Sequence, residues 1–379
     1  MDFDLTDEQK ALQDTLARFI EKDYTFDMRK PITKAAEGYS KAKWKQLADL
    51  GLLALPFPEA NGGMDGTPVD TMLVMQLLGR GLVLEPYLTT VVLCGGLIRD
   101  AGSEAQKASV LPAVAEGRTI LALAHYERGG RYELASVTSS ARPEGGGYVL
   151  NGAKGVVLNG EAADQLIVSA RTAGKAGDDE GISLFLIDRT APGVTVRGYR
   201  TQDGGRAAEI ELNNVRAAKD ALIGAEGKGL PSIERALDIA NAALCAETVG
   251  IMLAVNETTL EYLKTRKQFG QAIGKFQALQ HRMADMVIWA EQAKSMMMLA
   301  AVKASAKDAA ERSRAIAGAR AYVTQASRFV GQNAVQLHGG MGVTDEMKIA
   351  HYFKRLTMIA AQFGDGDWHL ARFSDTLAS

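Results

Sequence analysis

The feature that most limits how this chain can fold is a change in the period of its hydrophobic residues. The period is near four up to about residue 116, two from Thr119, and near four again after Pro231. In the first block Thr6 and Gln9 form an S/T-x-x-Q pair ahead of Leu12, Leu16, Phe19 and Ile20, which share one helical face. Ser40 precedes a second amphipathic run through Trp44, Leu47 and Leu50 that Gly51 stops, and NGGMDG at 61–66 is a loop. Residues 69–78, 86–98 and 103–115 supply three more helical segments, the last opened by Ser103 and Gln106. The runs TILALAHY, ASVTSSARP, YVLNGAKGVVLNG, DQLIVSART, GISLFLID, GVTVRGY and AAEIELNNV then alternate or stay apolar, separated by turn signals such as EGGG at 144–147 and APG at 191–193. About seven strands without intervening helices exclude a Rossmann unit and predict a compact β-barrel or sandwich. Leu237, Ala240, Leu244 and Val249 restore helical spacing, which Met296 to Met298 and the Ala-rich stretch 299–319 continue. The expected fold class is therefore α+β multidomain, with an N-terminal helical domain (1–116), a central β-barrel or sandwich domain (117–228) and a C-terminal helical bundle (229–379).

At 379 residues the chain exceeds one hydrophobic core, in keeping with that division. A net charge of −2 leaves no basic footprint for nucleic acid. The opening MDFDLTDEQK is acidic and lacks a basic region followed by an apolar run, so it is not expected to be a signal peptide. No window holds about 18 consecutive apolar residues, so no membrane span is expected. Cys94 and Cys245 each sit inside an apolar helical pattern, as buried free thiols do. Neither a disulfide nor a metal site is expected of them, and a reducing, cytoplasmic location follows.

Within the last block, YLKTRKQFGQAIGKFQALQHRMADM at 262–286 reads as a helix that runs into a loop at 269–276 before a second helix resumes. The loop crowds charged and amide donors beside two glycines, which a plain helical hairpin does not need. QLHGGMGV at 336–343 places a glycine pair after a helix, where backbone amides can approach a phosphate without a Cβ in the way. Glycines also serve as helix C-caps, so this pair carries weight only beside the first motif.

The spacing of Arg266, Phe269, Gly270, Gly274, Phe276 and Gln277 resembles the acyl-CoA dehydrogenase family, and the order helices, strands, helices matches that family over essentially the whole chain. The resemblance implies an N-terminal helical domain, a central β-domain and a C-terminal four-helix bundle, assembled as a homo- or heterotetramer around FAD. It implies that Arg266, whose planar fork suits a pyrophosphate, Phe269 on the adenine side and Gln277 serve the FAD of a neighbouring subunit, with Gln336, Leu337, Gly339 and Gly340 as the second half of that site. His338 lies inside the motif as a packing or backbone-contact residue rather than a catalytic one. The ring-binding segment L-T-E-P-G-A-G-S-D of the family reads HYERGGRYE here at 125–133, so Tyr126 stands for the threonine and Tyr132 for the serine. W-I-T-N-G becomes VVLNG at 156–160, which leaves backbone contacts from Tyr126 and Val157 to the flavin.

The reaction that the resemblance implies is α,β-dehydrogenation of an acyl-CoA, for which a carboxylate takes the α-proton and electrons pass to an electron-transfer flavoprotein. The resemblance to two-subunit members that act on dicarboxylic acyl groups extends the expected substrates to those. The family's late glutamate falls on Gly364 in FGDGD, with Asp365 one position on and Asp367 three on; its alternative location falls on Ala240, beside Asn241. Asp238 and Glu247 share that helix at other angular positions. Two readings stay open: Asp365 is the base, with Asp367 second in line, or the chain is a non-catalytic subunit that shares the FAD site with a paralogous large subunit carrying the glutamate. A flavin monooxygenase of the same fold is a third, with no residue that favours it.

Overall fold

The computed structural model of the protein describes residues 4–378, and Met1 to Phe3 of the acidic opening lie outside them. Helices α1 (Asp7–Asp23), α2 (Phe26–Ile32), α3 (Lys41–Asp49) and α4 (Pro68–Gly81) lead to a π-helical segment, Tyr87–Gly95, continuous with α5 (Gly96–Ala101), and then to α6 (Glu104–Ala115). Strands β1 (Leu121–Ala124), β2 (Ser140–Glu144), β3 (Gly147–Leu158), β4 (Gln165–Arg171), β5 (Ile182–Asp188), β6 (Val194–Arg200), β7 (Arg206–Ala217) and β8 (Leu222–Ile223) follow. The long α7 (Leu230–Thr265) passes through β9 (Lys267–Gln268) and β10 (Gln271–Ala272) into α8 (Gln277–Lys303), α9 (Ala309–His338), α10 (Lys348–Ile359) and α11 (Gly366–Ala378).

The helix starts follow from the capping chemistry in the sequence. Thr6 accepts from the Gln9 backbone N–H at 3.2 Å while the Gln9 side chain accepts from the Thr6 N–H, and Ser103 and Gln106 repeat this reciprocal pair at the head of α6. Ser40 caps α3 through the Lys43 N–H. Two features depart from the hydrophobic period. The short α2, FDMRKPI, follows Thr25, whose hydroxyl accepts from the Met28 N–H at 3.4 Å, and ends around Pro31. The Ala-rich stretch is two helices rather than one: Asp308 caps α9 by accepting from the Ala310 N–H at 2.9 Å, and a capped start competes successfully with continued helix.

By compactness the chain divides into two units, one of Ile32–Thr67 and Leu84–Ala240 and one of Met1–Pro31, Pro68–Val83 and Asn241–Ser379, so that α7 contributes to both. The first unit carries an eight-stranded mixed sheet in the order β6-β7-β3-β2-β4-β5-β8, with β1 parallel to β4. Six of the seven residues of β4 are buried, and it pairs with β1, β2 and β5. Thr90, in the π-helical segment, donates to the Leu121 carbonyl and accepts from its N–H, so β1's free edge is bonded to a side chain instead of to water. Gln106 of α6 donates to the carbonyls of Asp220 and Leu222, which ties α6 to the sheet's far strand, β8.

The second unit packs α1 against α4, α4 against α8, and α9 against α8, α10 and α11. Where α4 and α7 cross, glycines face backbone: a Cβ on Gly250 would stand 1.8 Å from the Gln76 carbonyl oxygen, and one on Gly79 would stand 2.3 Å from that of Glu247. Arg80 forks onto Glu257 at 2.8 and 2.6 Å beside this crossing. Arg29, on α2, is buried and donates to the carbonyl of Leu82, whose φ is +52°. By length and composition α7 could span a membrane, but 89% of its most apolar window is buried inside the protein, as in a core helix. Cys94 and Cys245 are free thiols, both buried.

Gly250→Ala forces the α4–α7 crossing apart, and the expected cost is about 1–3 kcal/mol. Urea unfolding measures it, and a neutral result would show that the crossing relaxes freely.

Candidate functional site

The segment after β1 that corresponds to the family's ring-binding stretch is held by a buried ion pair. Lys154, in the middle of β3, is buried and donates from Nζ to Glu127 Oε1 at 2.6 Å, to the Ser169 hydroxyl at 3.1 Å and to the His125 carbonyl at 3.2 Å. Glu127 also accepts from the backbone N–H and hydroxyl of both Thr138 and Ser139. His125 Nδ1 lies 2.9 Å from the Ser169 hydroxyl. One network thus joins the end of β1, the loop 125–139, β3 and β4. Burial pushes the Glu127 carboxyl up, but the Lys154 charge and the surrounding donors outweigh it and bring the pKa from 4.5 to about 2. Burial dominates for the two bases: Lys154 falls to about 8, Glu127 opposing, and His125 falls to about 3 and is neutral.

Tyr126 is half-buried, packs edge-on to His125 at 5.2 Å, and accepts at its carbonyl from the Gly155 N–H. That bond brings Tyr126 to the irregular stretch of β3 where the ladder to β7 slips between Lys154 and Val157. There Val156 stands 57% exposed at φ +52°, a strained conformation for a β-branched residue, while Val157 turns inward and is buried. Tyr132, further along the loop, has the Arg131 guanidinium 5.2 Å from its ring centroid.

The two motif halves in the helical unit come together. Tyr262, one turn before Arg266, stacks on His338 at 4.3 Å and its hydroxyl reaches the His338 carbonyl at 3.5 Å. Arg266 is exposed at the base of a tight hairpin, its carbonyl accepting from the Ile273 N–H, and Phe269 is displayed at the tip, 90% exposed with φ +55°. Gln277 is exposed at the start of α8, and Gln336 is exposed on the last turn of α9 with Leu337 buried beside it. Nothing lies within 4 Å of where a Cβ would project from Gly339 or Gly340, which leaves that backbone open to a ligand. The buried His338 donates from Nδ1 to Ala334, and its Nε2 has no partner within the protein. An exposed guanidinium, an unpacked aromatic ring and an open glycine pair fit the adenosine diphosphate half of a dinucleotide.

The carboxylates expected as candidates for proton abstraction stand at the head of α11. Asp365 caps α11, its Oδ1 accepting from the Trp368 N–H at 2.9 Å, and Asp367 is exposed in that helix's first turn. The preceding loop carries two positive φ values, Phe363 at +57° and Gly364 at +117°. Arg320, buried in α9, donates to the carbonyls of Ile359, Gln362 and Gly364 at 2.9, 3.0 and 3.4 Å, and Asn241 reaches the Phe363 carbonyl at 3.4 Å. His369 is fully buried below this loop; burial and the charges of Arg320 and Arg372 push its pKa to about 2 and keep it neutral. Ala240 is fully buried, and Glu247, on the same helix, is forked by Arg355 at 2.5 and 2.8 Å. Sequence reading overlooked Lys154, Glu127, Arg320 and His369. A lysine amid the alternation of β3 was the one legible signal.

Three models of the acyl-CoA dehydrogenase family match the chain: the N-terminal domain over residues 6–118, the middle domain over 122–215 and the C-terminal domain over 227–376. The short-chain-specific acyl-CoA dehydrogenase of Clostridium acetobutylicum is 29% identical over 92% of each chain. The solved structure of PigA with FAD and proline superimposes with a TM-score of 0.92 at 28% identity, over 100% of this chain and 99% of that one. The ChsE4-ChsE5 complex from Mycobacterium tuberculosis has a chain that superimposes at 0.90 with 26% identity, again over 100% and 99%. These matches define a flavoprotein oxidoreductase acting on a CH–CH bond, with FAD as cofactor. The chain belongs to the acyl-CoA dehydrogenase family.

Lys154→Met leaves the Glu127 carboxylate buried without its counter-charge, with an expected loss of about 3–5 kcal/mol in denaturant unfolding. The double variant Lys154→Met with Glu127→Gln should recover part of it. Because the folded pKa of Glu127 is depressed, its contribution is complete above pH 4.5 and is lost as pH falls toward about 2. Acid unfolding followed by circular dichroism should therefore be shallower in the double variant over that window.

Proposed function

We propose that this chain is the FAD-site-sharing, non-catalytic subunit of a heteromeric acyl-CoA dehydrogenase, whose paralogous large subunit supplies the catalytic glutamate. The observation that carries this reading is the state of the two places where the family holds its base: one is Gly364, the other the buried Ala240, and the nearby Asp365 spends its carboxylate on a helix cap. The likeness to a chain of the two-component ChsE4-ChsE5 complex supports it. In this reading 1–116, 117–228 and 229–379 are the functional domains. Arg266, Phe269, Gln277, Gln336, Leu337, Gly339 and Gly340 hold the adenosine diphosphate end of a cofactor whose ring belongs to the neighbour. Tyr126 and Val157 offer backbone contacts to a flavin ring in this subunit.

We read the chain as similar to the small subunit of pimeloyl-CoA dehydrogenase, so the proposed substrate is a dicarboxylic acyl-CoA, the electron acceptor an electron-transfer flavoprotein, the assembly a tetramer and the location cytoplasmic. FAD held there would supply the hydride acceptor that dehydrogenation of the β-carbon needs. The role of this chain is to orient that cofactor by phosphate and adenine contacts, while the proton leaves to a carboxylate of the large subunit. The second reading, with Asp365 as base, rests on its half-buried place in the same loop.

Expression of the chain alone and with its paralogue, followed by addition of pimeloyl-CoA, separates the two. Bleaching of the flavin absorbance only in the mixture supports the proposal. Bleaching by the lone chain, lost in Asp365→Asn and kept in Asp367→Asn, sinks it. Arg266→Ala should weaken flavin retention of the assembly by about tenfold or more, the value of a charge-assisted contact, read as flavin per protein after desalting. Unchanged retention would remove Arg266 from the site.

A further inference from the structure

Gly364 is enclosed as well as unsubstituted. A Cβ built on it would stand 2.5 and 2.9 Å from the Trp368 ring and 2.7 Å from His369 Nε2. The two obstacles differ in their freedom. Trp368 is half-buried, and the two of its atoms nearest that point, Cε3 and Cζ3, belong to the outer part of its side chain. His369 has no exposed surface, its backbone N–H is bonded to the Asp365 carbonyl at 3.0 Å, and its ring meets Trp368 edge-on at 4.9 Å. Among the described residues neither imidazole nitrogen makes a hydrogen bond of normal geometry, and the Phe363 backbone is the one polar group that acts on the ring in favour of its charge. A polar ring kept in such a place costs stability and calls for an explanation. The loop above is tethered as well: Arg320 donates to the carbonyls of Gln362 and Gly364, and Asn241 to that of Phe363.

We propose that His369 is the less yielding of the two side chains that close position 364: its imidazole, beside the Trp368 ring, occupies the volume into which a side chain there would project, so that a carboxylate cannot be restored at this position by one substitution. The inference rests on the reading of the chain as the non-catalytic subunit. It extends that reading from a missing residue to a rebuilt wall, in which loss of the base and loss of room for it are separate changes.

The test is a double-mutant cycle in thermal stability with Gly364→Ala and His369→Ala, extended by His369→Ser and His369→Gln, on the assembly with its paralogue. The Tm loss caused by Gly364→Ala should shrink as the side chain at 369 shrinks, leaving only the backbone cost of an L-residue at positive φ. A loss that is the same on every background at 369 would overturn the proposal. A second readout uses an assembly whose large subunit has its catalytic glutamate changed to glutamine. There Gly364→Glu should leave pimeloyl-CoA unreacted, whereas Gly364→Glu with His369→Ala should raise the rate of flavin bleaching by about 100-fold or more, the scale of general-base catalysis. Equal bleaching by the single and double variants would also overturn it. Bleaching by the unmodified lone chain is a different failure: it defeats the non-catalytic reading and leaves the packing cycle to be judged by itself.

Discussion

An ammonium group can stand inside a β-sheet only if its charge is met there, and the sheet unit is arranged around one such encounter. Lys154 and Glu127 approach to 2.6 Å, and the donors and acceptors left over on each go to Thr138, Ser139, Ser169 and the His125 carbonyl. Because these partners come from the end of β1, loop 125–139, β3 and β4, the pair ties that loop to both strands close to the place where β3 slips against β7. The same slip puts Val156 into its strained, exposed conformation. A hydrophobic pair of equal volume could fill the space with no loss of stability, but it would not direct four chain segments to one point.

The helical unit uses the same device with backbone as the partner. Arg29 meets the carbonyl of the positive-φ Leu82, and Arg320 meets three carbonyls of the loop 359–364. In each case a buried guanidinium, which has several donors and cannot be deprotonated, satisfies carbonyls that no regular element accepts. The loops that depart from helix or strand are therefore among the places where buried cations are spent. The hairpin proposed to reach a neighbour's cofactor is the contrast: Arg266 is exposed and Phe269 nearly bare, as that proposal requires of residues whose partners lie outside the chain.

Much of this architecture was legible in the residues. The period change at Thr119 and its return near Pro231 mark the sheet and the second helical block. The Thr6, Ser40 and Ser103 caps place helix starts, because a side-chain oxygen bonded to a nearby N–H is a local event. The hairpin and glycine pair were equally visible, since exposure and tight turns depend on neighbours in sequence. The break at 304–308 was not, because the alanines on both sides favour helix equally and only the Asp308 cap decides. Nor was the ion pair: Glu127 and Lys154 are 27 residues apart, and nothing local announces which carboxylate a buried lysine will meet.

The sequence by itself determined the order of helices and strands, the family likeness and the absence of glutamate at both of the family's base positions, since these depend on residue identity and short-range period. Only the tertiary structure decided what stands in that glutamate's place. Asp365 is three residues from Trp368 and becomes a helix cap; His369 lies five residues from Gly364 and fills its space; Arg320 reaches the same loop from another helix. Such roles depend on which surfaces face each other after α9 and α11 have packed, a quantity that no spacing along the chain encodes.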